Sequence, residues 1–446
     1  MTERVVVGLD IGSGAARAIA ANRSGEIVSV SSANYGMGSQ PRGEADPAAW
    51  LAGMCDALAK LDSPTPDAIC VGGHGPTTVA QDGQRALTFR HPSAEDGTPK
   101  EQHAAQVIQL RSMLGESLQP RQLWDWLLAQ IGGSSETQGV WPRSDALVDF
   151  GEPVPVGSCV GYTDGRYGLP KGIALVPGSN DGNMTGWAAG IGVPGRAFDP
   201  GGKTGGLGLA VDALRFPDTA EYGMPSAVAG VNIVGGPVAA HGAMLDWWSA
   251  ITGRSIPDLL EIAQGIPPGS QGVMLLPYFE GERAPRWNPA LRGTIVGLHI
   301  DHDVAVVSRA ILESTGYGLA HIARVLQHQG MELDRVVCSG KPSRSRTWVA
   351  IKAAILEAPI DIPECDDMAA YGAVLGAGAA IDWWPGPGEG NTSDWPIPPM
   401  TTIEPEPNEV YRAGLDRFIA LGDAATERLS TQDHATTFNT SKEYAR

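Results

Sequence analysis

The chain is short of positive charge, of cysteine and of long apolar runs, and each shortage excludes a class of protein. Thirty-two Lys and Arg stand against 50 Asp and Glu, a formal net charge of −18. Such a chain lacks the track of cations that a general nucleic-acid binder needs, although a small anionic ligand requires only a local positive site. No run of 18 apolar residues occurs, so no membrane-spanning helix is expected. The opening MTERVVVGLD enters a strand-like run at once and shows no basic and apolar leader, so a cytoplasmic setting is the expectation. The five cysteines, at 55, 70, 159, 338 and 365, are odd in number and form no CxxC. That argues against both a disulfide framework and a zinc site.

What the chain does have is length, apolar content and glycine. Its 446 residues are 42% hydrophobic and 18% charged, which fits a globular protein of two or three domains, or two large ones. The 58 glycines and 34 prolines, in a chain that also carries clear helix and strand patterns, imply many tight turns around a site.

Residues 4–11 read as a buried strand, followed by a glycine turn at 12–14 and two strands joined at Ser24-Gly25. Asp46-Pro47 starts a helix over 47–61, with Trp50, Leu51, Met54, Cys55 and Leu58 on one face. AICVGG at 68–73 is a strand, a hairpin turns at Asp82-Gly83, and helices fall near 100–114 and 120–131. IALVP at 173–177 is a strand leading through GSND into a small-residue helix at 182–190. From about 193 the grammar restarts: PGRAFDPGGKTGGLGLAVDA echoes the opening strand, glycine turn and strand. A long helix covers 303–328, RVVCSG is a strand, Ser343 caps a helix at 344–357, PIDIPE is a strand, and helices follow at 367–382 and 408–428 before a polar tail. Strands alternating with helices define the α/β class.

Four segments carry chemistry. Asp10-Ile11-Gly12-Ser13-Gly14 puts a carboxylate at the end of a buried strand beside glycines that let amides approach phosphate; an Asp-capped hairpin is the alternative. Asn180-Asp181-Gly182-Asn183 sets an Asp between strand and helix, where it can take a proton from a docked hydroxyl or serve as a plain N-cap. Gly73-His74-Gly75 after the 68–73 strand can floor a pocket, or His74 can be structural. Ser339-Gly340-Lys341 joins a strand to a helix start suited to a nucleotide, or is a simple connection. Arg17, and the strand after it, exclude a dinucleotide fingerprint, and Ala197 stands where a Walker A glycine would be needed ahead of Gly202-Lys203-Thr204. Trp247-Trp248 and the tryptophans of 383–395 read as core, with an interface, and so a homodimer, as the alternative. Arg309 and Glu313 read as an ion pair without a functional role.

These pieces, in this order, resemble the FGGY family of carbohydrate kinases, within the actin/hexokinase/Hsp70 superfamily. The resemblance is carried by GLDIGSGAARAIAANRSGEIV, EADPAAW, GGHGPTTVAQDGQ, LPKGIALVPGSNDGNMTGWAAGIGVPGRAF, GGPVAAHGAMLDWW, LLPYFEGERAPRWNPALRGTIVGL, SRAILESTGYGLAHI and SGKPSRSRTWVAIKAAIL…MAAYGAVLGAGAA. It runs from about residue 5 to 383 and is weak between 92 and 150. It implies two actin-like, ribonuclease H-like domains flanking a deep cleft, divided as 1–192 with the sugar site and 193–385 with the nucleotide site, then 386–446 as a Pro/Gly-rich segment, final helix and tail.

The resemblance also implies an activity: transfer of the γ-phosphoryl of ATP, with Mg2+, to a hydroxyl of a ketose, xylulokinase-like first and ribulokinase-like second. On it Asp181 matches the catalytic base. Asp10 matches the carboxylate near magnesium and phosphate. Gly12, Ser13 and Arg17 fall in the first phosphate loop, Gly202, Lys203, Thr204 and Gly205 in the second, and Gly340 with Lys341 in the adenosine motif. Gly73, His74 and Gly75 match the sugar-contact triplet. Three places depart from the family pattern. Lys203 stands in a loop that usually reads GTS or GTG, where it adds a contact or spoils the turn. Pro342 removes an amide from the adenosine motif. Phe89 to Asp96 does not align with the family's sugar loop. The altered loops support a second reading, a sugar- or nucleotide-binding regulator without phosphotransfer. An actin-like assembly ATPase is the third, and fits GERAPRWNP and SRAILES poorly.

Overall fold

The computed structural model of the protein describes residues 3–36, 41–92, 99–139, 150–155, 157–215, 223–225, 228, 230–238, 240–387 and 394–432. Ser93 to Asp96 and the tail beyond 432 lie outside the described residues. The chain forms two compact units. The first comprises Met1–Pro200, Gly208–Val234 and Pro363–Thr401; the second comprises Gly201–Leu207, Gly235–Ile362 and Thr402–Arg446. The units therefore interleave along the chain, where the segments 1–192, 193–385 and 386–446 run contiguously.

The first unit is built on β1 (Val5–Ile11), β2 (Ala15–Asn22) and β3 (Ile27–Asn34), an antiparallel meander. Then come β4 (Glu44–Ala45), α1 (Pro47–Ala59), β5 (Ala68–Gly73), β6 (Thr77–Ala80), β7 (Ala86–Thr88), α2 (Pro99–Leu114), β8 (Pro120–Gln122) and α3 (Leu123–Gln130). Two short strands, β9 (Thr137–Gln138) and β10 (Glu152–Pro153), precede β11 (Ala174–Asn180) and α4 (Asp181–Ala188). The main sheet has the order β11-β5-β1-β2-β3, with β5 parallel to β1 and β11 parallel to β5. That is the ribonuclease H-like arrangement. A second sheet, β4-β7-β6-β8, lies in the same unit.

All seven residues of β1 are buried, as an apolar, valine-rich central strand with a parallel neighbour should be. In α1, Asp46 accepts from the Ala48 amide; Trp50, Leu51 and Met54 are buried as the periodicity predicts, Ala57 is buried with them, and Cys55 and Leu58 are only half-buried. The unit is closed by α9 (Met368–Ala379), which packs on β1, β5 and α4. It comes very close because the contacts are glycines: a Cβ on Gly8 would lie 2.1 Å from the Ala370 carbonyl, and one on Gly372 would lie 2.0 Å from that of Met184. This helix places a segment from residue 363 onward in the first unit. The unit also holds β12 (Arg196–Asp199), which pairs antiparallel with β13 (Gly205–Asp212) through Ala197↔Leu209 and Phe198↔Gly208, and β14 (Gly223–Pro225), which pairs with β15 (Val231–Val238). The β12–β13 hairpin is the structural form of the echo read at 193–212.

The second unit centres on α7 (Val304–His328), capped by Asp303, whose carboxylate accepts from the Ala305 and Val306 amides. Around it pack α5 (Gly242–Thr252), α6 (Ile256–Gln264), α8 (Arg346–Leu356) and α10 (Glu409–Gln432). The unit also contains β16 (Met274–Leu276) with β17 (Thr294–Val296), antiparallel, and β18 (Arg335–Cys338) parallel to β19 (Ile360–Pro363). Arg309 and Glu313 form a buried pair at 2.8 Å. Tyr411 Oη and the Gly269 amide complete it, so its role is to tie α7 to α10 and to the turn at 269. Ser345, not Ser343, caps α8. Ser343 instead donates to the Gly340 carbonyl at 2.7 Å and holds a short 3-10 turn. Trp247 and Trp248 are half-buried and not core, with Trp248 Nε1 donating to Ser308 Oγ, whereas Trp383, Trp384 and Trp395 are buried. All five cysteines are free thiols. Among the described residues no helix is long and apolar enough to cross a membrane.

Candidate active site

Three adjacent parallel strands end level in the first unit. Ile11 of β1 pairs with Gly73 of β5, and Gly73 pairs with Asn180 of β11. The residues at or just beyond those ends are Asp10, His74 and Asp181. The carboxyl ends of parallel strands are where α/β sheets place ligands. Glycine makes the row compact, since a Cβ at Gly73 would come within 2.9 Å of the Ile11 carbonyl.

Asp10 is directly across the β1–β2 ladder from Arg17. Arg17 Nη1 donates to Asp10 Oδ2 at 3.2 Å, and its Nε reaches Asp367 Oδ2 at 3.1 Å. Asp367 is the N-cap of α9, so the glycine-mediated approach of that helix delivers this third carboxylate. Burial, then the Asp367 and Asp181 charges, push the Asp10 carboxyl well above its usual range, while Arg17 opposes them. Burial likewise raises Asp367, against Arg17. For Arg17, burial pulls down, but Asp367 and Asp10 outweigh it and raise its pKa. Asp10 Oδ1 is buried without a hydrogen-bond partner. Two carboxylates share one guanidinium, a third, Asp181, acts on Asp10 by its charge, and a buried oxygen of Asp10 has no donor. This donor set suits a cation. Among the described residues no three acidic, His or Cys side chains are close enough to hold a metal by themselves. A divalent ion here would need ligands from elsewhere, as one carried on phosphates has.

Asp181 opens α4, but the capping work falls to Asn180, whose Oδ1 accepts from the Asn183 amide at 2.8 Å. The plain N-cap alternative for Asp181 is thereby excluded. Its own Oδ1 accepts from the Gly182 amide at 2.8 Å. The side chain is solvent-exposed yet surrounded by protein mass. That surrounding, net of the amide bonds and with a push from Asp367, raises it to about 6. Water reaching the carboxylate limits the shift, and its direction is upward. A carboxylate poised near neutrality and open to a ligand is suited to accept a proton.

His74 is buried, and Nδ1 and the backbone amide both donate to the Ile11 carbonyl, at 2.8 and 2.9 Å. Burial lowers the imidazole to about 4, so it is neutral and its Nε2 is an acceptor. Trp50 and Phe89 stand edge-on to the ring, at 5.2 and 6.4 Å. The segment 89–92 that could not be aligned therefore borders the histidine. At the turn, Gly12 N donates to Ala15 O, Tyr35 Oη donates to Gly12 O, and Ser13 is exposed.

The remaining candidates come together in the second unit. Gly201 is left-handed (φ +44°), and a Cβ there would be 2.1 Å from the Ser339 carbonyl, so the 201–205 loop and the 339–341 turn lie against each other. The carbonyls of Gly202 and Lys203 accept from the first amides of α5: Gly242 N on Gly202 O, and His241 N and Ala243 N on Lys203 O. Lys203 and Thr204 are exposed, so the lysine's bulk does not strain the turn. Gly340 has φ +73° and ψ −177°, a conformation only glycine takes readily. Pro342 falls in the first turn of the short helix, where no amide is needed, so it costs little there. Lys341 is exposed.

Sequence reasoning missed Asp367, Gly201 and the start of α5. An acidic residue ahead of the small-residue run MAAYGAVLGAGAA signals the first of these, but nothing in the sequence tells that the helix reaches Arg17.

The fold to which this sheet order and strand-end row belong is the actin-like α/β fold. A solved structure of xylulose kinase from Rhodospirillum rubrum superposes with TM-score 0.78 at 24% identity, over 95% of this chain and 99% of that one. The model of the FGGY family of carbohydrate kinases, C-terminal domain, matches residues 212–381. Xylulose kinase of Bacillus subtilis is 23% identical over 451 residues, 85% of this chain and 89% of the relative. Gluconokinase of the same organism is 29% identical over 226 residues, 47% of this chain; this match, like others to curated relatives, spans about half the relative's length, here 44%. Residues 212–381 thus carry the C-terminal domain of the FGGY family of carbohydrate kinases.

Proposed function

We propose that the protein transfers the γ-phosphoryl group of ATP to a hydroxyl of a ketose, xylulose first and ribulose second. The observation that carries the reading is the row in which Asp10, His74 and Asp181 stand at the ends of three adjacent strands. Asp181 orients the acceptor hydroxyl and takes its proton as the oxygen attacks the γ-phosphorus. The bond from that phosphorus to the β–γ bridging oxygen breaks, giving ADP and a sugar phosphate. His74 Nε2 accepts a hydrogen bond from a second hydroxyl, between Gly73 and Gly75. Arg17, with the Gly12–Ser13 turn, faces phosphate. Gly202 to Gly205 cradle phosphate, and Gly340 with Lys341 takes the adenosine end. Mg2+, when bound on the phosphates near Asp10, supplies charge neutralisation. ATP as donor suits a cytoplasmic setting.

The reading without phosphotransfer rested on the altered loops. The exposed Lys203 and the helix-compatible Pro342 remove that support. ADP release measured over a panel of pentuloses, hexuloses and polyols tests the proposal. Sugar-dependent ADP production by wild type, lost in Asp181→Ala, supports it. Sugar-induced thermal stabilisation with no turnover at any ATP concentration contradicts it.

A further inference from the structure

The motif GERAPRWNP has two arginines with opposite surroundings, both in the second unit. Arg286 is fully engaged: it donates to Asp423, to Tyr278 Oη and to the Ile419 carbonyl, and it meets His321 Nδ1. Arg283 is half-buried, and among the described residues it has no ion pair or side-chain hydrogen bond. Its guanidinium lies over the Trp287 ring at 5.8 Å, and among the described residues the charge that opposes the effect of burial on it is that of Glu280. Burial lowers this arginine to about 10, a sign of how poorly its charge is compensated.

A second donor beside it also lacks a partner: Trp287 Nε1 is buried and makes no hydrogen bond. The loop that presents both is rigidly built. The Glu282 carboxylate accepts from the Arg286 amide with both oxygens, Glu282 N donates to Asn288 O, and Trp287 N donates to Arg283 O at 2.5 Å. Trp287 is held left-handed at φ +51°. The loop is tied to the glycine loop by successive backbone contacts. Ala284 N donates to Pro237 O at 3.0 Å. A Cβ on Gly236 would touch Ala284 Cβ at 2.6 Å and Trp287 Cζ2, on the edge that carries Nε1, at 3.5 Å. A Cβ on Gly206 would lie 2.7 Å from Gly236 O. Gly206 directly follows the 201–205 turn.

Two adjacent donors without an acceptor, one a cation, on a fixed loop next to a glycine turn, call for an anion. We propose that Arg283 and Trp287 Nε1 bind the terminal phosphate of a nucleoside triphosphate held at the 201–205 loop. The inference rests on the nucleotide site proposed above. It distinguishes triphosphate from diphosphate, which the glycine loop alone does not.

Titration calorimetry with MgATP and with MgADP, on wild type, Arg283→Met, Arg283→Lys and Trp287→Phe, tests it. Methionine keeps the apolar stem over Trp287 and removes the charge. The expected result is a loss of about tenfold or more in MgATP affinity for Arg283→Met, with MgADP within about threefold. Arg283→Lys should recover part of the loss, and Trp287→Phe should show a smaller loss confined to MgATP. Equal MgATP affinity in wild type and Arg283→Met overturns the inference and leaves the kinase reading intact. A wild type that phosphorylates no sugar but shows the Arg283-dependent ATP preference overturns the kinase reading and sustains the inference. No MgATP binding by wild type overturns both. If Arg283→Met loses its thermal transition, Trp287→Phe decides: unchanged MgATP affinity there overturns the inference.

Discussion

Arg17 faces Asp10 directly across the β1–β2 ladder and reaches past it to Asp367, so one half-exposed guanidinium serves two carboxylates. With Asp181 also acting on Asp10, the cluster carries more negative charge than it neutralises. Such a cluster is costly alone and comfortable only with a cation.

Replacing Asp10 by Asn should therefore separate stability from activity. At pH 8 the melting temperature is expected to stay level or rise, because a like charge is removed. Sugar-dependent ADP production should fall by about 100-fold or more, with the Mg2+ dependence weakened. Differential scanning fluorimetry and a coupled assay over a magnesium series read both. A variant that loses stability and activity together would make Asp10 a structural residue.

The pH profile of kcat at saturating sugar should report Asp181. The base works deprotonated, and its folded-state pKa is raised to about 6. Turnover should fall about tenfold per pH unit below that value and be flat above it. A profile flat down to pH 4.5 would mean that proton transfer to this carboxylate is not rate-limiting or does not occur.

Asp125 offers a stability prediction independent of function. It is buried in α3, accepts from the Gly139 amide at 2.9 Å, and burial raises it to about 8 against that bond and the Arg121 charge. A carboxyl so raised contributes stability that is complete below the unfolded value near 3.8 and is lost as pH rises through about 8. Asp125→Asn keeps the acceptor and removes the titration. Its melting temperature relative to wild type should climb from pH 5 to pH 8.5, an advantage on the order of 3 kcal/mol at the top of the range. A constant difference would show that Asp125 does not titrate there.

Gly201→Ala should destabilise the second unit by roughly 2 kcal/mol or more, since the added methyl meets the Ser339 carbonyl at 2.1 Å in a left-handed backbone. Nucleotide affinity should fall with it, whereas Lys203→Ala, at an exposed position, should leave the melting temperature within about 1 °C. Thermal melts and nucleotide titration of the two variants check the contrast.

Much of this was legible in local pattern. The all-buried β1, the capped α1 and the long α7 follow from apolar period and cap chemistry, which act within a few residues. The Asp10, His74 and Asp181 positions were legible because each stands at, or directly follows, the end of a readable strand. Asp367 was not, because its proximity to Arg17, 350 residues away in the chain, depends on Gly8 and Gly372 admitting α9. The Ser343 cap failed for a local reason: Gly340 and Pro342 start a 3-10 turn that uses the Ser343 hydroxyl and defers the cap to Ser345. The interleaving of the two units was equally hidden, since it follows from where 363–401 packs.

The central claim is tested most directly by sugar-stimulated ADP release from Asp181→Asn beside wild type, at pH 8 and with both proteins confirmed folded by their melts. The account predicts clear stimulation of wild type by at least one ketose, and a loss of about 10² to 10⁴ in kcat with little change in sugar KM for the variant. Equal stimulation of the two proteins would contradict it.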